Sequence, residues 1–300
     1  MLRSHDRYDY SPITARVPGR WPGGKGLAVY IALNLEQYAW GEGLVEDLVP
    51  GIPAPDVLNN SWRDYGNRVG AWRLLELFRQ HRLPLSLLLN SELYGVAPQL
   101  IAAFREHGAE IASHGRTNSE HQAALNEAEE RALIVSVTAT FVQHEGAAPA
   151  GWLSPWIAET ERTPDLLHEA GYRYVLDWCM DDQPVWLKTR RGRILSVPYP
   201  QELNDSAAII GRRVSASEFA DMVIDQFDEM LEQSLEQPLV MGIALHSMIA
   251  GQPFRVRQLR RAFAHLARHR DAVWLTTAGQ IAASFAAAQQ APTATDALTG

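Results

Sequence analysis

Ala28-Val29-Tyr30-Ile31-Ala32-Leu33 runs without a break into Asn34-Leu35-Glu36-Gln37, and this junction decides the fold. A short apolar run of this kind reads as a buried strand, and here it delivers a carboxylate at its end. The same arrangement recurs twice. Glu110-Ile111-Ala112-Ser113 leads into His114-Gly115, and Val240-Met241-Gly242-Ile243-Ala244-Leu245 leads into His246. Residues so far apart in the chain meet only if their strands lie side by side with the same polarity. The carboxyl ends of parallel strands are where α/β enzymes keep their chemistry, so the three junctions predict one hydrolase site.

Working outward, strands and helices alternate. The Pro/Gly-rich stretch 50–55 reads as a surface loop that helps roof the site. From Gly66 a helical pattern places Arg73, Glu76 and Gln80 on a polar face and turns Val69, Trp72, Leu75 and Phe78 inward. Pro84 ends that helix ahead of a buried strand over 85–89. A helix over 98–107, an Ala/Glu-rich helix from Asn126 towards His144, a strand near Trp152 and a helix over 163–170 follow. A strand over 172–176 then delivers Asp177. Ser215 and Glu218 form a capping-box pattern opening a helix whose Phe219, Met222, Val223, Phe227, Met230 and Leu231 make one apolar stripe. After the strand to His246 come a helix over 254–268, a short strand over 272–275 and a last helix. This alternation predicts a parallel barrel, open or closed, divided into an arm over 1–20, a catalytic domain over 21–287 and a flexible tail over 288–300.

Among 300 residues, 35 acidic side chains outnumber 27 basic ones, for a formal charge of −8, and the Lys and Arg residues form no stripe. Neither nucleic acid nor an anionic membrane is expected as a partner. No run has the length of a signal peptide's core or a membrane span. The lone cysteine, Cys179, makes no internal disulfide, which fits a reducing, cytoplasmic compartment. The expected partner is a small-molecule substrate.

The chain resembles the polysaccharide deacetylase superfamily, and within it the allantoinase-like branch linked to purine and urate breakdown. The resemblance rests on Asn34-Leu35-Glu36-Gln37, on Tyr65-Gly66-Asn67-Arg68-Val69-Gly70-Ala71-Trp72-Arg73, on Ser113-His114-Gly115, and on Asp177-Trp178 through Asp181-Asp182-Gln183-Pro184. It rests also on Val197-Pro198-Tyr199 with Asn204-Asp205, and on Leu245-His246 with Gly251-Gln252-Pro253. It implies a distorted parallel (β/α) barrel of about seven strands, a hydrolase of carbon–nitrogen bonds in cyclic ureides, and a symmetric homo-oligomer with the 59–66 region as an interface.

Two departures from the family bear on mechanism. Metal-dependent deacetylases carry an Asp-Asp pair and a His-Ser-x-x-His turn, where this chain has Glu36-Gln37 and, at the second histidine position, Asn118. Neutral amides replace ionic or imidazole ligands there, so no tightly bound cofactor is expected; a zinc or similar ion, if recruited, would use Glu36, His114 and His121. Leu153-Ser154-Pro155-Trp156 also stands where deacetylases usually carry Arg-Pro-Pro-Tyr, which removes the arginine that orients the base. The resemblance makes Glu36 the general base, its proton affinity expected to rise in an apolar mouth. His114 would position water or polarise the carbonyl, His246 would protonate the leaving nitrogen, and Asp177 would orient an imidazole. Trp152, Trp156 and Trp178 would wall a planar substrate, and Asn34, Asp181, Asp182, Asn204 and Arg255 would contact it. The alternatives are a metal-dependent N- or O-deacetylase of an acetylated sugar or related amide, and a relative that binds ligand without turnover.

Overall fold

Strand β1, Leu27–Leu35, is buried along its whole length, and its alternation sorts the core into two layers. Leu27, Val29, Ile31, Leu33 and Leu35 face outward into a large apolar cluster shared with the helices. Ala28, Tyr30 and Ala32 face inward with Ala112, Leu153, Tyr174, Leu176, Val197, Val240 and Ala244. A strand covered on both faces reads as a continuous apolar run rather than an alternating one, which is why the six-residue stretch looks featureless in sequence. The computed structural model describes residues 4–16, 19–41 and 46–289.

The other strands are β2 (Ser86–Leu89), β3 (Glu110–Ser113), β4 (Gly151–Trp152), β5 (Tyr174–Val175), β6 (Val185–Thr189), β7 (Gly192–Ser196), β8 (Leu239–His246) and β9 (Trp274–Thr276). They form one sheet in the order β6-β7-β5-β4-β3-β2-β1-β8, with β9 also paired to β1. Apart from the antiparallel β6–β7 hairpin, every pairing is parallel. Beyond β7 the chain bridges back to β8 at Asn204 and Ala244, curling the sheet into a distorted (β/α) barrel. Register aligns the strand ends. Leu35 pairs with Leu89, Leu89 with Ser113, and Ser113 with Trp152, while Asn34 pairs with His246. Glu36 and His114, each one residue past that row, therefore leave the sheet at one rim.

The helices follow the sequence pattern in most places. Asn126 and Ser215 each close a capping box, on Glu127–Glu145 and Ala216–Gln233, satisfying backbone N–H groups that a helix start otherwise leaves open. The first helical region departs from the expected pattern. A helix Val57–Tyr65 precedes a π-helical turn Gly66–Gly70, and only then does Ala71–His81 continue. Within this last helix Ala71, Leu74, Leu75, Leu77 and Phe78 are buried while Trp72 is 41% exposed. The β6–β7 hairpin was not foreseen. Of the expected tail, residues 290–300 lie outside the described residues. Around the arm, Arg7 pairs with Asp165 and Arg16 with Asp181. No helix among the described residues is long and apolar enough to cross a membrane.

Candidate active site

Glu36, His114 and His246 converge. Glu36 Oε1 lies 3.3 Å from His114 Nε2 and 3.6 Å from His246 Nε2, and all three side chains are buried. They border a cavity of about 180 Å³ that Asn34, Tyr38, Glu46, Asn118, Trp156, Tyr199, Gln201 and Asn204 also line.

Each imidazole is oriented through its other nitrogen, and the carboxylates involved are not the arrangement expected. His246 Nδ1 lies 2.7 Å from Asp205 Oδ1, and the His246 backbone N–H donates to Asp205 Oδ2 at 2.9 Å. The fully buried Asp205 thus grips both ends of the residue. His114 Nδ1 lies 2.9 Å from the Leu153 carbonyl, which can only accept, so Nδ1 carries the hydrogen and Nε2 faces Glu36. Asp177 contacts neither imidazole by hydrogen bond. It accepts instead from the Ser154 N–H at 2.7 Å and the Ser154 hydroxyl at 3.0 Å. The carbonyl of Leu153 and the N–H of Ser154 belong to one peptide group, so Asp177 reaches His114 through a single polarised amide. Burial raises the Asp177 carboxyl to about 6 against those two hydrogen bonds.

The hydrogen bonds around Glu36 fix which way the neighbouring amides point. The Gln37 N–H donates to Asn90 Oδ1 at 2.8 Å, so Asn90 Nδ2 must be the donor to the His114 carbonyl and, at 3.0 Å, to Asn118 Oδ1. Asn118 consequently presents its Nδ2 to Glu36 Oε1, at 2.6 Å, while Tyr38 donates to Glu36 Oε2 at 2.5 Å. The expected rise in the proton affinity of Glu36 does not occur. Burial does push it up, but His246, His114 and the Tyr38 hydroxyl outweigh that and hold it below the usual carboxylate value. His246 responds in the opposite sense. Burial lowers it, yet Glu36 and Asp205 raise it to about 10.

The same geometry tests the deacetylase ion. A first-row ion needs free lone pairs at about 2.0–2.2 Å on carboxylate oxygen or imidazole nitrogen. Here both oxygens of Glu36 accept from hydrogen donors, and Asn118 turns N–H rather than oxygen towards the position an ion would take. Among the described residues no group of three or more His, Cys, Asp or Glu side chains is arranged to hold a metal, and His121 is exposed. The residues present do not fit the ion.

Of the expected substrate contacts, Asn34, Trp156 and Asn204 line the cavity. Trp152 does not. It shares the register row of Ser113 and Val175 and points outward into the helix-facing core, its ring edge-on to Tyr172. Trp178 packs against His5 and Tyr8. Asp181 pairs with Arg16, and the Asp182 carbonyl accepts from Val240 at the start of β8, so both sit at the rim opposite His246. Arg255 donates to the Ile249 carbonyl outside the cavity. Sequence reasoning missed Tyr38, Glu46 and Gln201, and it ranked Asp205 low. Its only signal was adjacency to Asn204 in a family motif, because the fold alone brings it to His246.

The comparisons with known proteins agree with this architecture. A sequence model of the polysaccharide deacetylase family matches residues 63–175. A putative polysaccharide deacetylase of Schizosaccharomyces pombe is 27% identical over 296 residues, covering 89% of this chain and 92% of its own. Among solved structures, a probable polysaccharide deacetylase from Pseudomonas aeruginosa PAO1 superposes with a TM-score of 0.82 at 28% identity, over 95% of this chain and all of that one. PuuE allantoinase superposes at 0.83 with 27% identity over the same shares. With the strand-end carboxylate and imidazoles at one rim of the matching barrel, the chain is similar to the polysaccharide deacetylase superfamily with an allantoinase-like branch, and these likenesses support an enzyme that hydrolyses carbon–nitrogen bonds.

Proposed function

We propose that this enzyme hydrolyses a C–N bond in a small amide or cyclic ureide of the allantoin type, with Glu36 and His246 as an acid–base couple. The observation that carries the reading is the opposite displacement of those two groups. Glu36 is held ionised and His246 held protonated in the same cavity, and a pair whose environments push proton affinities apart suits base and acid roles. Glu36 takes a proton from a water aligned by His114 Nε2 as the water oxygen bonds to the carbonyl carbon. The Tyr199 hydroxyl, which accepts from Asn34 Nδ2 at 3.1 Å and keeps its own hydrogen free, donates to the developing oxyanion. His246 Nε2–H then protonates the leaving nitrogen as the C–N bond breaks, and the proton held by Glu36 returns to His246. Asp205 keeps that imidazole in place throughout.

Cavity size supports a small substrate. About 180 Å³ is below the roughly 300–1,000 Å³ usual for drug-sized ligand sites, and leaves little room for several sugar units. The test is a panel of allantoin, hydantoin, formamide and N-acetylglucosamine presented to chelator-treated enzyme with and without added divalent ions. The reading expects ring opening of a ureide, followed as the product acid by chromatography, without dependence on the ion. Turnover of N-acetylglucosamine alone, and only with added ion, would contradict it.

A further inference from the structure

Three polar atoms at the cavity are buried and have no partner among the described residues: Asn34 Oδ1, Glu46 Oε2 and Gln201 Nε2. Buried polar groups in folded proteins are almost always satisfied, and each unmet one costs about 1–3 kcal/mol, so three around one small cavity mark what the cavity is built to receive. Asn34 is accounted for on its donor side, since its Nδ2 is engaged by the Leu245 carbonyl and Tyr199. Glu46 and Gln201 take no part in the proton transfers described above. Glu46 is the more unusual of the two. It is only 8% exposed, its backbone carbonyl is anchored by Arg63 Nε at 3.0 Å, and the Arg63 guanidinium is spent on Asp47 rather than on the Glu46 carboxyl.

We propose that Glu46, together with Gln201, is the specificity element of this site and reads the adjoining C=O and N–H of a neutral amide or ureide. The inference rests on the amide or ureide reading of the site and adds residues to it. A carboxyl group in its neutral form presents an O–H beside a carbonyl oxygen, which matches a C(=O)–NH edge in a two-point contact. Gln201 Nε2 supplies a further donor to a carbonyl, and Asn34 Oδ1 a further acceptor to an N–H. The groups acting on Glu46 are His246, Glu36, Asp205 and Arg63; burial dominates and raises its carboxyl to about 8, so it enters the neutral range as an acid.

The experiment measures kcat and KM for wild type, Glu46→Gln, Glu46→Leu and Gln201→Leu on allantoin, hydantoin and N-acetylglucosamine, with circular dichroism and thermal melting of each variant. Glu46→Leu is expected to raise KM by about tenfold or more with a much smaller change in kcat. Glu46→Gln, which keeps a donor and an acceptor on one planar group, is expected to recover most of that loss. A kcat loss with KM unchanged, an unchanged KM in Glu46→Leu, or failure of a well-folded Glu46→Gln to recover anything would overturn the proposal. If wild type turns over only N-acetylglucosamine, the ureide reading falls separately, and the same KM comparison on its acetamido group still decides Glu46. Should wild type neither turn over nor bind any of the three by calorimetry, the proposal fails as well.

Discussion

His246 shows how far a single side chain depends on its setting. Desolvation alone would strip its proton, and Glu36 and Asp205 reverse that, raising it to about 10. The acid form therefore persists across neutral pH and is lost as pH rises through that value, while Glu36 stays ionised until pH falls below the usual carboxylate value. Replacing Asp205 by Asn removes one of the acidic groups, with Glu36 and Glu46, that stabilise the imidazolium, so the proton affinity of His246 must fall. The alkaline limb of the kcat profile is expected to move down towards neutral in Asp205→Asn, as a pH–rate series on any accepted substrate will show; an unmoved limb would mean that another group sets it. Glu36, His114 and His246 were legible because each follows an apolar run that announces a strand end. Asp205 was not, because it sits in a loop and its role exists only once β8 has been brought beside it. Asp177 was placed at the site by sequence but reaches His114 only through the Leu153–Ser154 peptide, a connection that no spacing rule contains.

At the scale of elements, the π-helical turn Gly66–Gly70 packs against the segment that follows His246. A Cβ built on Gly70 would lie 2.1 Å from the Ser247 carbonyl, and one on Gly251 would lie 2.3 Å from Gly70 Cα. Backbone meets backbone here, directly after His246, and neither side can yield as a flexible side chain would. Gly70→Ala is accordingly expected to cost about 1–3 kcal/mol, seen as a lower urea midpoint with an unchanged slope. It is also expected to reduce kcat, because the segment displaced is the one that carries His246; full stability in this variant would show that the contact is slack. Trp72 lies about 100° round the regular helix from Ala71, outside the arc of the buried Ala71, Leu74, Leu75 and Phe78, and so faces out. The β6–β7 hairpin escaped notice in the sequence. Lys188 and Arg193 interrupt its apolar pattern, and its turn holds Arg190 and Arg191 before Gly192.

Over the whole molecule, alternation along buried strands divides the core into an inner layer inside the barrel and an outer layer shared with the helices. That division decides which strand-end residues face the cavity. It turns Asn34 inward and Trp152 outward, although both stood as substrate contacts in sequence. The polarity of the barrel decides the rest, sending Asp181 and Asp182 to the far rim while Glu36, His114 and His246 share the near one. The central claim is that Glu36 works as a base towards a small amide without a bound ion. The most direct measurement is kcat/KM at neutral pH for chelator-treated wild type and Glu36→Gln on the ureide or amide that wild type accepts. A fall of about a hundredfold or more in a variant that still melts cooperatively is the expected result. Equal rates in the two proteins, or a wild type that loses all activity on chelation and regains it with a divalent ion, would contradict the account.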